Sequence, residues 1–281
     1  MEAAPSRTAM IAAVGRGRLR QEETPPWVLD DTFALVLVGP VWQELRERLD
    51  SLFPGQVVRE ACAAVCTRSR YAEDRLAAGT FAQYVILGAG LDSLAWRRPD
   101  LLRSLRVFEV DHPASQAWKL KRVRDLALPV SDSHVFVPAD FEAEPVRNAL
   151  GTAGFDSGQS ALFSWTGVAP YLTAPAIEST LRMIAGAAAG SEVVFSYLAE
   201  ESVLDDVGKE FIRGYTPLAA SVGEPLQPGW SVIEIERLIS RCGLKVVDHP
   251  ARADLEHRYF AGRTDGLRPY TVETLVTAQV I

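Results

Sequence analysis

FAQYVILGAGLD, residues 81–92, is the stretch whose reading decides the fold. Seven residues, mostly apolar and partly β-branched or aromatic, run up to Gly88-Ala89-Gly90. An apolar run of that length bounded by glycines reads as a buried strand. The segment that follows, 91–98, can be helical until Pro99 stops it. Strand, glycine turn and helix form the opening unit of a doubly wound α/β sheet, in which ligands sit beyond the carboxyl ends of the strands. Glycines there let the backbone approach a ligand with no Cβ in the way. The turn reads G-x-G-x-D and not a full G-x-G-x-x-G, because Ser93 stands at the third glycine.

The next unit adds weight. RVFEV, residues 106–110, is a second short strand that runs into Asp111, about 20 residues after the glycines. An acid at that point can take both hydroxyls of a ribose. Glu109 and Asp111 are read as alternating along the strand, so that only one is expected to face the crevice, and Asp111 is nearer the strand's end. The competing reading makes Asp111 a cap for the helix that starts at His112-Pro113. A third strand, Val135-Phe136-Val137, leads into Pro138-Ala139-Asp140-Phe141. Asp140 could accept from an adenine amino group while Phe141 covers the ring. Beyond the glycine turn there is no diphosphate-binding signature, so a nucleoside without phosphates fits better. That points to S-adenosylmethionine over NAD.

These stretches in order, GAGLDSLAWR, FEVDHPASQAWK, PADFE and FSWTGVAPYLT, resemble the successive motifs of the leucine carboxyl methyltransferase-like family. They are similar in particular to its bacterial branch of S-adenosylmethionine-dependent methyltransferases, over roughly residues 8–281. The resemblance implies that Gly88 and Gly90 border the cofactor's methionine part, Asp111 its ribose, and Asp140 with Phe141 its adenine. The family's upstream arginine, which holds the methionine carboxylate, falls at Arg68 or Arg70 in TRSRYAEDRL. One departure stands out. The family commonly has Glu after the fourth strand, where this chain has Thr166. Either an acid nearby in space substitutes, or the pocket accepts weaker cofactor binding for a different acceptor geometry. The second is the favoured expectation.

With 281 residues and 48% apolar content, the chain suits one large α/β domain with an accessory cap. Net charge is −7 with acids and bases interspersed, so no basic stripe suggests nucleic acid. Cys62 and Cys66 stand four apart on a helical segment, neither a zinc spacing nor a C-x-x-C pair, and read as buried thiols in a reducing cytosol. The apolar stretches 33–38 and 10–14 are too short for a membrane span or a signal-peptide core, so a soluble cytoplasmic protein is expected.

Taken in order, residues 1–7 read as disordered and 9–20 as a helix whose Arg16, Arg18 and Arg20 either close over an anion or are solvated. Helices follow from Asp30, over 41–52 and over 56–77, so residues 1–80 are expected to form a helical cap carrying Arg68 and Arg70 to the sheet. Both arginines could instead pair with Glu73 or Asp74. Residues 81–281 then alternate. Helices are expected over 114–126, 144–150, 174–189 and 231–242, the last with a Ser231/Glu234 capping box. Strands are expected over 159–166, 192–197, 244–247 and 273–280, the last antiparallel. The fold class is therefore a doubly wound, mostly parallel, seven-stranded Rossmann-like sheet. Residues 199–230 break the rhythm and read as an irregular lid over the crevice, its aromatics either shaping an acceptor site (Tyr215 and Trp230, beside Tyr171) or serving as plain packing.

The expected chemistry is direct methyl transfer to a small molecule, at a carboxyl or hydroxyl oxygen, in natural-product metabolism. Orientation alone can supply up to roughly 7–11 kcal/mol. His112, His134, His249 and His257 form no metal spacing, and no single residue stands out as a base. Three other readings are carbon or nitrogen methylation of an indole-like acceptor, an NAD-dependent oxidoreductase, and a non-catalytic binding relic.

Overall fold

The computed structural model describes residues 6–141 and 146–281. Expectations for residues 1–5, for Glu142 of the PADFE motif and for a helix start at Glu144 lie outside the described residues. The strands are β1 (Gln83–Leu87), β2 (Arg106–Asp111), β3 (His134–Pro138), β4 (Ala161–Trp165), β5 (Glu192–Leu198), β6 (Leu244–Asp248) and β7 (Glu273–Val280). They form one seven-stranded sheet in the order β3-β2-β1-β4-β5-β7-β6. The first five are mutually parallel, and β7 lies antiparallel between β5 and β6. This is the doubly wound α/β fold. Strand order reverses between β1 and β4, so the connections leaving their carboxyl ends diverge and open a crevice there. Both strands are buried along their whole length, as continuous apolar runs covered on two faces should be.

Four helices precede the sheet: α1 (Arg7–Glu22), α2 (Ala34–Val38), α3 (Trp42–Leu52) and α4 (Gly55–Ala78). Between strands come α5 (Leu94–Arg97), α6 (Pro99–Leu102), α7 (Pro113–Asp125), α8 (Val146–Thr152) and α9 (Ala174–Ala185). The remainder are α10 (Asp206–Ser221), α11 (Val232–Arg241) and α12 (Arg252–Phe260). Among the described residues no helix is long and apolar enough to cross a membrane.

Several expectations change. Of residues 1–7, expected to be disordered, Ser6 caps α1 by accepting from Ala9 N–H and Arg7 begins that helix. The helix after the glycine turn starts at Leu94, because the Asp92 carboxylate takes the Leu94 N–H at 2.8 Å and holds residues 91–93 in a turn. The helix read over 174–189 stops at Ala185, where Gly186 serves as C-cap. The larger change is in residues 199–230, whose core is the 16-residue helix α10 and not an irregular coil. Asp205 caps it by accepting from Gly208 N–H at 2.8 Å. Pro217 lies inside it, at the loss of one helical hydrogen bond. Burial of Tyr215, Leu218 and Ala219 against Leu49 of α3, Phe53 just after it and Val58 of α4 offsets that loss.

A buried run of charges joins the leading helices to the glycine turn. Asp31 accepts from Arg16 Nε at 2.8 Å and from Ser93 Oγ at 2.7 Å, with Arg97 Nε at 3.6 Å. Arg97 in turn pairs with Glu73 at 2.5 Å, and Arg16 donates to the Leu91 carbonyl at 2.6 Å. Ser93, at the place of a third glycine, is fully buried and uses its hydroxyl here. Arg18 pairs with Glu22 and Asp50, and Arg20 with Asp30, so these arginines serve the helix packing.

Burial alone would raise the Asp31 carboxyl, but Arg16 and Arg97 outweigh it and hold it below the usual carboxylate range. Its stabilisation is therefore complete above its unfolded value, near 3.9, and is lost as pH falls through the lower folded value. Asp31→Asn should cost about 3–5 kcal/mol, because two arginines lose their buried partner. Urea unfolding of parent and variant measures this, and the difference should shrink only in strong acid.

Candidate active site

A cavity of about 1040 Å³ opens at the carboxyl ends of β1 and β4, roofed by the first turns of α1 and walled by α4 and α10. Of the residues singled out in the sequence, Arg68, Gly88, Gly90, Asp111, Asp140, Phe141, Thr166, Tyr171 and Tyr215 line it. Arg70 does not. Its Nε bonds Asp74 at 2.7 Å one helical turn on, so of the two candidate arginines only Arg68 reaches the cavity. Trp230 does not line it either. Its N–H donates to the Leu198 carbonyl at 2.8 Å, and its ring packs on the sheet's main apolar core.

Gly88 and Gly90 have φ of +69° and +48°, which only glycine adopts freely. A Cβ on Gly88 would lie 2.3 Å from Val168, and one on Gly90 would lie 3.0 Å from the Ala9 methyl. The space the glycines keep free is thus taken by protein neighbours, α1 among them. Asp111 accepts N–H bonds from Gly90 and, at 2.7 Å, from His112. It does not cap α7: His112 does, its Nδ1 accepting from Ala114 N–H at 3.2 Å. Burial pushes the Asp111 carboxyl up despite those two donors. Glu109, two residues earlier on the same side of β2, is closed inside with Lys119 and His134. Position along the strand, and not alternation, separates the two acids.

The end of β4 holds a group of side chains not foreseen from the sequence. Arg68 Nη1 lies 2.5 Å from Glu273 Oε2, the first residue of β7. Ser196 donates to the other oxygen of Glu273 and accepts from Gly167 N–H at 2.7 Å. The Arg68 guanidinium lies over Gly167, where a Cβ would meet its Nη2 at 2.4 Å. One signal for Glu273 was available. β7 is antiparallel, so its first residue pairs with Leu198 at the carboxyl end of β5 and comes to the crevice.

On the other side lie aromatics. Phe211 stacks between Phe53 and Tyr215 at centroid distances of 5.5 and 4.8 Å, and the Tyr171 and Tyr215 hydroxyls are 2.9 Å apart. Burial raises Tyr171 well above its ordinary range and Tyr215 to about 12, so both are hydrogen-bonding phenols near neutral pH and not bases.

The residues fit a nucleoside carrying a charged tail: an acid at the end of β2, an acid and an aromatic after β3, and an Arg/Glu pair at the floor. A profile of the leucine carboxyl methyltransferase family matches residues 9–185. The chain belongs to that family. YktD of Bacillus subtilis, provisionally named an S-adenosyl-L-methionine-dependent methyltransferase, is 35% identical over 190 residues, 67% of this chain and 62% of YktD. A Mycobacterium tuberculosis protein of the same provisional name is 32% identical over 177 residues, 59% of this chain and 55% of that protein. The chain thus spans less than two thirds of these relatives' length. Among solved structures, a DUF574 family protein from Streptomyces avermitilis superposes with a TM-score of 0.66 at 15% identity, covering 100% of this chain and 99% of that one. A protein from Thermobifida fusca gives 0.63 at 15%, covering 99% and 96%. These likenesses establish the fold. The family assignment leaves the NAD-dependent oxidoreductase reading without support.

Cys62 also lines the cavity, where burial pushes its thiol up to about 12. It should be inert as a nucleophile. Native protein at pH 8 is expected to react with iodoacetamide at Cys62 far more slowly than the denatured protein, which peptide mass mapping of the alkylated site would measure.

Proposed function

We propose that the protein is an S-adenosylmethionine-dependent methyltransferase acting on a small-molecule acceptor, at a carboxyl or hydroxyl oxygen, in cytoplasmic natural-product metabolism. The observation that carries this reading is the gathering of Arg68, Gly88, Gly90, Asp111, Asp140, Phe141 and Thr166 around one cavity with an aromatic end. When bound, the cofactor supplies a methyl group activated by its positive sulfur. Asp111 would hold the ribose, Asp140 and Phe141 the adenine, and Arg68 the methionine carboxylate. The roof of α1 is fastened by Ser6 N–H to Ser115 at 3.2 Å and by Thr8 N–H to Glu224 at 3.3 Å. Residues 1–80 act as the cap and 199–230 as the lid of the α/β domain 81–281. Of the Tyr171 and Tyr215 hydroxyls, the one not donating to the other would donate to an acceptor oxygen, and the protein's main contribution is alignment in a dry pocket.

A second reading, carbon or nitrogen methylation of an electron-rich aromatic, is favoured by the aromatic wall of Phe53, Phe211 and Tyr215 in the cavity lining, where one ring face turned to a developing cation would contribute about 0.5–2 kcal/mol. Titration calorimetry is expected to show binding of S-adenosylhomocysteine and none of NAD; the reverse would sink the proposal. Screening carboxylic acids, phenols and indoles for a mass gain of one CH₂ then separates the two acceptor classes.

Asp140→Asn should weaken adenosine binding by about 10-fold, the scale of one charged hydrogen bond, because the amide can present a donor to the exocyclic amine. Inosine lacks that amine, so its affinity should differ little between parent and variant. Equal losses for both nucleosides would show that Asp140 does not meet the base.

A further inference from the structure

We propose that Glu273 is the anion that receives the ammonium of the cofactor's methionine end, opposite Arg68, which receives its carboxylate. The proposal rests on the cofactor reading above. An amino acid tail is a zwitterion, and it needs one fixed cation and one fixed anion side by side. The cavity floor has that pair. Arg68 and Glu273 both line it, their charged ends 2.5 Å apart and their side chains only 15% and 7% exposed. The residue ending the β4 edge, Thr166, brings no charge.

Each member is held in place. Glu273 is the first residue of β7, in register with Leu198 at the end of β5. Its second oxygen accepts from Ser196, whose hydroxyl is fixed by the Gly167 N–H. Arg68 lies flat over Gly167, which leaves no room for a side chain there.

Charges this far from water must be paired in every state of the site. In the empty floor Arg68 and Glu273 neutralise each other. A neutral ligand placed over them would strip their remaining water and return nothing. A zwitterion adds an opposite charge to each, so the floor stays neutral and every charge keeps a hydrogen-bonded partner. The floor is therefore selective for the amino acid tail, and Glu273 is the residue that reads its amine.

The test is calorimetry of parent and Glu273→Gln with three ligands: S-adenosylhomocysteine, its deaminated analogue with a butanoate tail, and adenosine. Glu273→Gln should weaken S-adenosylhomocysteine about 10- to 100-fold, the scale of a charged hydrogen bond, move adenosine by less than about twofold, and leave the deaminated analogue bound at least as tightly, because Arg68 then has no competing anion. Equal losses on all three would overturn the proposal, since they are what a structural ion pair between α4 and β7 gives. Unchanged binding of S-adenosylhomocysteine would overturn it as well. A parent that binds none of the three overturns the cofactor reading itself, a result distinct from either. Should Glu273→Gln not fold, the Thr166→Glu, Glu273→Gln double variant returns a carboxylate from the end of β4, another lining position of the cavity. It is expected to prefer S-adenosylhomocysteine over the deaminated analogue about 10-fold, and a folded double variant indifferent to the amine overturns the proposal.

Discussion

Arg16, Asp31, Arg97 and Glu73 alternate in sign across the junction between the leading helices and the glycine turn, all nearly sealed from water. In a low-dielectric interior such a chain is tolerable only when complete, because each charge relies on its neighbours to replace lost hydration. It fixes three things at once. Through Arg16 and the Leu91 carbonyl it holds α1 against the turn. Through Ser93 and Arg97 it ties both ends of α5 to the leading helices, and through Glu73 it anchors α4, the helix that carries Arg68. The roof and one wall of the cavity are thus positioned by the same four side chains.

Those side chains also explain why the turn departs from a full glycine fingerprint. The third position is occupied by a serine that donates to Asp31 and accepts from Arg97 Nε at 2.8 Å. A glycine there would leave a hole in a polar network where a half-satisfied set is worse than none. The departure reflects how this chain fastens its cap to its sheet.

The sheet was legible because parallel strands buried on both faces have to be short apolar runs, and β1, β2, β4 and β5 are unmistakable in that respect. The antiparallel closing strand was legible too. What failed was helix α10, since Gly208, Gly214 and Pro217 are local breakers and only tertiary burial of its apolar face overrides them. In the candidate site, residues that follow strand ends in the parallel half could be placed by counting from the glycines, as with Asp111 and Asp140. Arg68 and Arg70 could not be told apart, because two residues on a helix differ by about 200° in direction and only packing shows which faces the sheet. Glu273 was named as the start of a strand without being placed in the crevice: its nearness to Arg68 comes from the reversed direction of β7, not from any local pattern. The missing carboxylate at Thr166 led toward a weaker site as the favoured expectation; the ion pair on the floor favours the other alternative, an acid supplied from elsewhere in space.

The strand order has a consequence for how the molecule is made. Arg68 and Glu273 are 205 residues apart, and β7 slots between β5 and β6. Until that strand is synthesised, β5 has a bare edge and β6 has no neighbour to pair with, so a growing chain presents two unpaired strands. The polar floor is likewise the last part of the cavity to be assembled. A nascent chain has its glycine turn and Asp111 long before it has a partner for Arg68. Contacts of such long range slow folding, because the intervening loop must close before they contribute. The Arg68–Glu273 pair and the completed sheet therefore arrive together.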